Sequence, residues 1–187
     1  MHPVSSSGHL NGGNGQMNAM AKPPVGAAQF TAAMGLAATG VSVVTTDGPL
    51  GRFGLTVSAV SSVSAEPPLV LCCINRKSPA VAAVEGNGVF AVNLLSAAHR
   101  AYAETFAGRP REGRPFDFSN HDWRDGELGL PLVSDATAIF ECEVHDQLDA
   151  GTHRIFIGRV VAAHSGAADP LVYCNRAFAR IVHHEGN

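Results

Sequence analysis

The sequence predicts a mainly β fold, a β-barrel with helical decoration, and three observations support this prediction. Segments dense in β-branched and apolar residues recur along the chain and are typical of strands. Turn signals rather than helices separate most of these segments, which favours antiparallel hairpins over a doubly wound α/β sheet. The chain has 187 residues, of which 45% are hydrophobic and only 16% charged, so it can bury one core.

About six strands are expected, joined mostly by hairpins. The strand-like segments are residues 41–46, 52–60, 69–75, 89–95, 136–148, 153–164 and 170–174. Three segments have helical composition or periodicity, residues 27–38, 78–85 and 97–107. Thr39-Gly40 is expected to end the first helix, and Ser78 is expected to cap the second. The polar stretch 108–127 is expected to form a loop with little regular structure.

The chain is predicted to contain one folded domain preceded by a tail. Residues 1–25 are rich in Ser, Gly, Asn and His and have almost nothing to bury, which predicts a disordered N-terminal tail. Residues 26–184 are predicted to form the domain. No secretory signal is evident, and no apolar run approaches the roughly 18 residues of a membrane span. A soluble, cytoplasmic protein is therefore expected.

Several function classes find no support in composition or motifs. A formal net charge of −3 gives no basic footprint for nucleic acid. The four cysteines show no CxxC spacing, so we expect buried free thiols and no metal site. The chain also lacks GxGxxG, GxxxxGK[ST], GxSxG and HExxH motifs. Hydrolytic and zinc chemistry therefore have no visible machinery.

Three segments are candidates for ligand binding. Residues 51–64 alternate small hydroxyl residues with apolar ones, which suits a planar, hydrogen-bonding ligand or simply the solvent face of a strand. Asn75-Arg76-Lys77-Ser78 places two cations at a strand-to-helix junction, as in a phosphate site or a solvated basic turn. Ala150-Gly151-Thr152-His153 places a histidine at a hairpin turn, where it is either functional or an ordinary surface residue.

An ordered set of segments resembles the flavin reductases of the FMN-binding split-barrel type. The longest is TTDGPLGRFGLTVSAVSSVSAEPPLVLCCINRKSP, residues 45–79. In register after it come GNGVFAVNLL from Gly86, ETFAG from Glu104, FECEV from Phe140, AGTHRIFIGRVV from Ala150 and PLVYCNRAFARI from Pro170. The resemblance covers about residues 28–182 and is nearest to the reductase components of two-component aromatic monooxygenases, such as the 4-hydroxyphenylacetate 3-monooxygenase reductase.

The resemblance implies a homodimeric, six-stranded antiparallel split barrel that uses NADH or NADPH to reduce FMN or FAD. The reduced flavin would diffuse to a partner monooxygenase. The flavin-contacting positions of the family fall on Arg52, Phe53, Gly54, Leu55, Thr56, Ser58, Ala59, Cys73, Ile74, Asn75, Arg76, Lys77, Ser78, Phe106 and Ala107. Arg76, Lys77 and Ser78 would hold the flavin phosphate.

On the nicotinamide side, the resemblance implies contacts from Gly151, Thr152 and His153, with His153 near the nicotinamide. No residue is assigned a certain catalytic role, because the two cofactors supply hydride transfer themselves. Thr152 stands where many relatives have Asp. Residues 110–121 lack the EERF-like run of the family, so the family's contacts from that loop are not carried over to this chain.

Alternatives remain open on the same scaffold. A corrinoid reductase acting on cob(II)yrinic acid a,c-diamide and a flavin reductase of pyrimidine utilisation are two of them. A non-catalytic flavin- or haem-binding split barrel is a third. The low charge content agrees with a large subunit interface, because surface buried between subunits carries few charges.

Overall fold

The computed structural model describes residues 22–182. Most of the predicted tail, residues 1–21, lies outside the described residues, so the domain boundary at 25/26 stays a prediction. Residues 22–26 have no regular secondary structure. The described chain contains three α-helices: α1 (Ala27–Met34), α2 (Ala80–Asn87) and α3 (Arg100–Phe106). A 3₁₀ turn, Ala97–His99, precedes α3. No helix in the described range is long and apolar enough to cross a membrane.

Twelve strands occupy most of the remaining described chain. Their bounds are β1 (Thr39–Gly40), β2 (Ser42–Thr46), β3 (Phe53–Val57), β4 (Val60–Ala65), β5 (Pro68–Asn75), β6 (Val89–Leu94), β7 (Trp123–Asp125), β8 (Pro131–Val133), β9 (Ala138–Ala150), β10 (His153–Ser165), β11 (Val172–Cys174) and β12 (Ala177–Ala179). Seven of them form one antiparallel sheet in the order β3-β2-β6-β9-β10-β5-β4. The mainly β prediction is confirmed.

This sheet is curled, because its two outermost strands are neighbours in sequence. Laid flat, β3 and β4 would stand about 29 Å apart at the usual strand spacing. The chain from Val57 to Val60, with two residues between them, spans about 11 Å at most. The outer strands must therefore approach each other at the corner Ser58–Ala59, which leaves a barrel open along one seam.

The sheet has seven strands rather than the expected six, because residues 52–60 are not one strand. The chain bends at Ser58–Ala59, and Val60–Ala65 pairs with β5 as a strand of its own. The alternating pattern of residues 52–60 is typical of one continuous strand, but these residues belong to β3 and β4, the two edge strands on either side of the seam. Local alternation could not show this, because both halves keep the period of two.

Two apolar clusters lie on opposite faces of the sheet, so that β2 and β6 are buried on both sides. Val44 and Val92 face the barrel interior, where they join Cys72, Phe90 and Phe156. The outer cluster lies under α3 and β8. It includes Val41, Val43, Ala91, Leu95, Tyr102, Ala103, Phe106, Leu130, Leu132, Val133 and Ile139. Strands buried on both faces are often nearly continuous apolar runs, as the sequence VFAVNL of β6 shows, whereas β2 (SVVTT) also buries the hydroxyl residues Ser42, Thr45 and Thr46.

The first helix is shorter than predicted. It ends at Met34 with Gly35 at its C-cap, and none of its residues is buried. Since a short helix depends on packing for its stability, it does not continue toward Ala38. Thr39–Gly40 forms β1 instead of ending the helix, and it pairs with β11 of the C-terminal hairpin.

The other predicted helices and the long loop agree with the structure apart from their ends. Helix α2 begins at Ala80, and the Ala80 N–H donates to the Ser78 hydroxyl at 3.3 Å, so Ser78 stabilises its start. Within the predicted loop, Trp123–Asp125 forms β7 and pairs with β8. Glu141 is fully buried and anchors the turn after β7 by accepting the N–H groups of Glu127 (3.1 Å) and Leu128 (2.9 Å).

Replacing Asn93 by Leu is expected to destabilise the fold by about 2–4 kcal/mol. The Asn93 side chain is fully buried, donates to the Val43 carbonyl at 3.0 Å and accepts the Val133 N–H at 2.9 Å. Leucine would leave these buried groups without their partners. Chemical denaturation measures the change. The exposed strand variant Ser62→Ala serves as the control and should shift stability by less than about 0.5 kcal/mol. Equal stability of N93L and the parent would contradict this account.

Candidate functional site

The seam of the barrel places the candidate flavin-binding segments side by side. The Cys73 N–H donates to the Ala59 carbonyl at 3.0 Å, which joins the corner Ser58–Ala59 to β5. The Thr56 hydroxyl donates to the Ala103 carbonyl at 2.8 Å and ties β3 to α3, whose last residue is Phe106. Segments that are distant in sequence thus meet at one end of the barrel.

A cavity of about 230 Å³ lies between the start of β3 and the start of α2. Its lining residues are Arg52, Phe53, Gly54, Ser78, Pro79, Ala80, Phe116 and Phe118. Four of these, Arg52, Phe53, Gly54 and Ser78, are predicted flavin contacts. The start of β3 and the predicted phosphate turn, residues 75–78, therefore meet at this cavity.

Phe116 and Phe118 belong to the loop for which the sequence assigned no contact. Phe118 packs edge-on against Phe106 at a ring distance of 4.8 Å, and the Arg52 guanidinium lies 5.8 Å from its ring centre. Phe116 is 53% exposed and adopts a left-handed backbone conformation (φ 59°), which is uncommon for a bulky residue. Two phenylalanines one residue apart in an otherwise polar loop were the signal that could have identified them.

A second cavity of about 300 Å³ lies at the end of β3 and reaches the corner residue Ser58. It is lined by Val41, Thr56, Val57, Ser58, Ala103, Glu104, Ala107, Arg109, Tyr173 and Phe178. The predicted contacts Thr56, Ser58 and Ala107 share this cavity. Tyr173 and Phe178 were not predicted, because only the tertiary structure brings the C-terminal hairpin next to α3. Arg109 was not predicted either, because it lies in the segment after α3 that was expected to be a loop.

Not every predicted flavin contact presents a side chain to these cavities. Ile74 is fully buried in the barrel interior, and Phe106 is 1% exposed in the outer cluster. Leu55 is half-buried against the interior cluster. A ligand can reach Ile74 only through its main chain. The Cys73 thiol is half-buried, and burial raises its pKa.

The structure brings the predicted phosphate turn next to the predicted nicotinamide turn, residues 151–153. Asn75, the last residue of β5, pairs with His153, the first residue of β10. The Arg76 N–H donates to the Thr152 carbonyl at 3.0 Å, and its guanidinium donates to the Gly151 carbonyl at 3.4 Å. All three predicted NADH contacts thus adjoin the flavin segment.

Within the nicotinamide turn, the histidine ring is held by its neighbour. Thr152 Oγ1 lies 3.0 Å from His153 Nδ1, and both side chains are exposed. Gly151 has φ 58°, a conformation that favours glycine in a tight turn. The imidazole is therefore oriented while its Nε2 atom stays available to a ligand.

The ionic groups around these turns are mostly paired. The Arg76 guanidinium lies 3.2 Å from the Asp149 carboxylate, and Arg154 Nε lies 2.8 Å from the other oxygen of that carboxylate. The hydrogen bond from Arg154, together with the charges of Arg154 and Arg76, holds the pKa of Asp149 below its usual range. The ammonium group of Lys77 is exposed and has no carboxylate within ion-pair distance in the described part of the chain.

Comparisons with known proteins agree with this geometry. The profile of a family described as flavin reductase like domain matches residues 34–182. An FMN reductase (NADH) named RutF, from Variovorax paradoxus, is 39% identical over 170 residues, which make up 90% of this chain and 93% of that protein.

Two solved structures show the same fold. The NADH:FAD oxidoreductase SgcE6 of Streptomyces globisporus, in complex with NAD and FAD fragments, gives a TM-score of 0.75 at 32% identity, covering 83% of this chain and 92% of its own. The styrene monooxygenase flavin reductase of Pseudomonas putida gives a TM-score of 0.73 at 27% identity, covering 83% of this chain and 99% of its own.

Replacing Gly54 by Ala is expected to destabilise the protein by about 1–3 kcal/mol through overpacking. A Cβ atom at this position would lie 2.7 Å from Phe106 and 2.9 Å from Phe118, and Phe118 lines the 230 Å³ cavity. Thermal unfolding measures the effect. Gly40→Ala is the matched control, because a Cβ there meets nothing within 4 Å. A G54A protein as stable as G40A would show that the two rings yield freely.

Proposed function

The chain belongs to the flavin reductase-like domain family, and from that premise we propose that it is an NADH-dependent flavin reductase. It reduces FMN or FAD by hydride transfer from the nicotinamide and supplies reduced flavin to a partner monooxygenase. The observation that carries this proposal is the meeting of Asn75 with His153 and of Ala59 with Cys73 at one end of the barrel. There the flavin-side and nicotinamide-side segments are neighbours.

The residues at this end of the barrel fit a flavin. The corner Ser58–Ala59 is exposed and carries only small side chains, so a planar ring can approach its main chain. Phenylalanine rings line the adjoining cavity and offer apolar contact to such a ring. Lys77 and the Ser78 hydroxyl, at the turn before α2, would hold the anionic phosphate of a flavin, because an ammonium group and a hydroxyl can both donate to it.

When bound, the flavin accepts a hydride from the reduced nicotinamide, and the cofactors supply this chemistry themselves. The protein binds and orients the two ring systems so that they meet in reactive geometry. Main-chain groups of Thr56, Ser58 and Ala59 would form hydrogen bonds with the flavin ring. His153, held by Thr152, shapes the nicotinamide pocket. This division explains why neither a nucleophile nor an acid–base pair is needed.

We further infer that the protein is a homodimer, and helix α1 supports this. The helix buries none of its residues within one chain, yet Phe30 is 60% exposed and Met34 is 53% exposed. Leu36, just beyond the helix, is 67% exposed. Contiguous exposed apolar residues on a chain with so few charges mark a surface that another subunit covers. Use of NADPH and a cytoplasmic location remain predictions.

Purified protein is expected to oxidise NADH only when FMN or FAD is added, as followed by NADH absorbance. Lys77→Ala should raise the flavin Kd by on the order of tenfold, since it removes an ionic hydrogen-bond donor from the phosphate. Fluorescence titration measures the Kd. Lys22→Ala removes the same charge from the exposed segment before α1, which lines neither cavity, and should leave the Kd unchanged. Absence of flavin-dependent NADH oxidation would contradict the proposed function.

Analytical ultracentrifugation is expected to give a dimer of twice the 19.4 kDa chain mass. Phe30→Glu should shift the equilibrium toward monomer, because a charge replaces an exposed apolar ring. Gln29→Glu adds the same charge to the same helix without removing apolar surface and should remain dimeric. A monomeric parent protein, or an F30E dimer as stable as the parent, would contradict the homodimer.

A further inference from the structure

Arg76 makes its contacts toward the nicotinamide turn. We propose that Arg76 and Asp149 form a clamp that positions the turn Gly151–His153 for NADH, and that Arg76 is not a ligand of the flavin phosphate. The clamp is a positioning device and rests on the proposed function. The resemblance had placed Arg76 and Lys77 together on the phosphate. The structure separates their roles.

Three contacts define the clamp. The Arg76 main-chain N–H donates to the Thr152 carbonyl at 3.0 Å. One guanidinium nitrogen, Nη1, donates to the Gly151 carbonyl at 3.4 Å, and Nη2 lies 3.2 Å from Asp149 Oδ2. A single residue directly after β5 therefore contacts the end of β9, through Asp149, and two residues of the turn, Gly151 and Thr152. This fork geometry suits arginine and not lysine, because the planar guanidinium can address two acceptors at once.

The charge of Arg76 is neutralised where it lies. Asp149 accepts from Arg154 Nε at 2.8 Å, and Arg154 Nη1 lies 3.1 Å from Glu85 on α2. Two guanidinium groups and two carboxylates thus form a balanced network. A phosphate group could bind the Arg76 guanidinium only if the ion pair between Arg76 and Asp149 were broken. Lys77, one residue further on, has no carboxylate partner among residues 22–182 and keeps its charge for an anion.

The clamp also accounts for how the turn can hold an oriented histidine. Strands β9 and β10 have 13 residues each, and the turn lies at the exposed end of this long hairpin. The ends of such hairpins open readily, since few buried contacts hold them. Arg76 joins the turn to β5, next to the Asn75–His153 pair. Because the turn is held in place, Thr152 Oγ1, which lies 3.0 Å from His153 Nδ1, can orient the His153 ring.

Variants of Arg76, Lys77 and Asp149 separate the two roles. Arg76→Ala and Asp149→Asn are expected to raise the KM for NADH about fivefold, the upper range for an exposed ion pair, with kcat and the flavin Kd within about twofold. Lys77→Ala should show the opposite pattern, a raised flavin Kd with little change in the KM for NADH. Arg76→Lys should recover only part of the loss, because lysine keeps the charge without the fork.

Arg159→Ala is the matched control. It removes another exposed arginine–carboxylate pair, with Glu143, from the β9–β10 hairpin that carries the turn but away from the turn itself, and should change neither constant. Hydrogen–deuterium exchange supplies a readout independent of turnover. The amides of residues 151–153 should exchange faster in R76A and D149N than in the parent and R159A.

Two results would overturn the clamp. One is a rise in flavin Kd in R76A as large as that in K77A, with an unchanged KM for NADH. The other is equal exchange at residues 151–153 in the parent and R76A. If the parent oxidises no NADH with added flavin, the proposed function fails, and hydrogen exchange still decides whether the clamp exists.

Discussion

The link between β3 and β4 is the constraint on which the rest of the structure depends. Two residues, Ser58 and Ala59, join the outermost strands of a seven-stranded sheet, so the sheet has to curl until its edges meet. That closure sets the Ala59 carbonyl against the Cys73 N–H and exposes the corner beside the cavity at the end of β3. The meeting of the candidate segments is thus a consequence of closing the barrel, and the long loop and the C-terminal hairpin complete the cavity walls.

Around this corner the protein uses few ionisable groups, and it neutralises most of them. Asp47 pairs with Arg52 at 2.7 Å, and Asp149 pairs with both Arg76 and Arg154. Paired charges exert weak fields at a distance, so cations without an ion pair among residues 22–182, Lys77 at the turn and Arg109 at the second cavity, contribute most to the local attraction for an anion. A site that handles two anionic cofactors, a flavin and a nicotinamide, gains from having few unpaired cations, because excess positive charge would hold the product as firmly as the substrate.

Much of the fold could be predicted from the sequence, since β-branched runs and turn residues locate most strands to within a few positions. The resemblance added the segments of the site. Contacts that depend on long-range pairing were out of reach. Thr39–Gly40 is a helix stop by its composition and becomes a strand only because β11 lies beside it. The partner of Arg76 could not be foreseen, because Asp149 lies on a different hairpin. Phe116 and Phe118 were missed because the loop that carries them departs from the family pattern.

The pairing of β5 with β10 also has a consequence for how the chain folds. The β9–β10 hairpin and the β4–β5 hairpin each close over a very short connection, and both can form early. Joining them requires Asn75 to find His153 across nearly half of the chain, which costs loop-closure entropy before any contact rewards it. We therefore expect a high-contact-order, slow-folding barrel. Until β5 and β10 pair with each other, the facing edges of these two strands stay unpaired and can pair with other chains. Dilute conditions therefore favour correct folding.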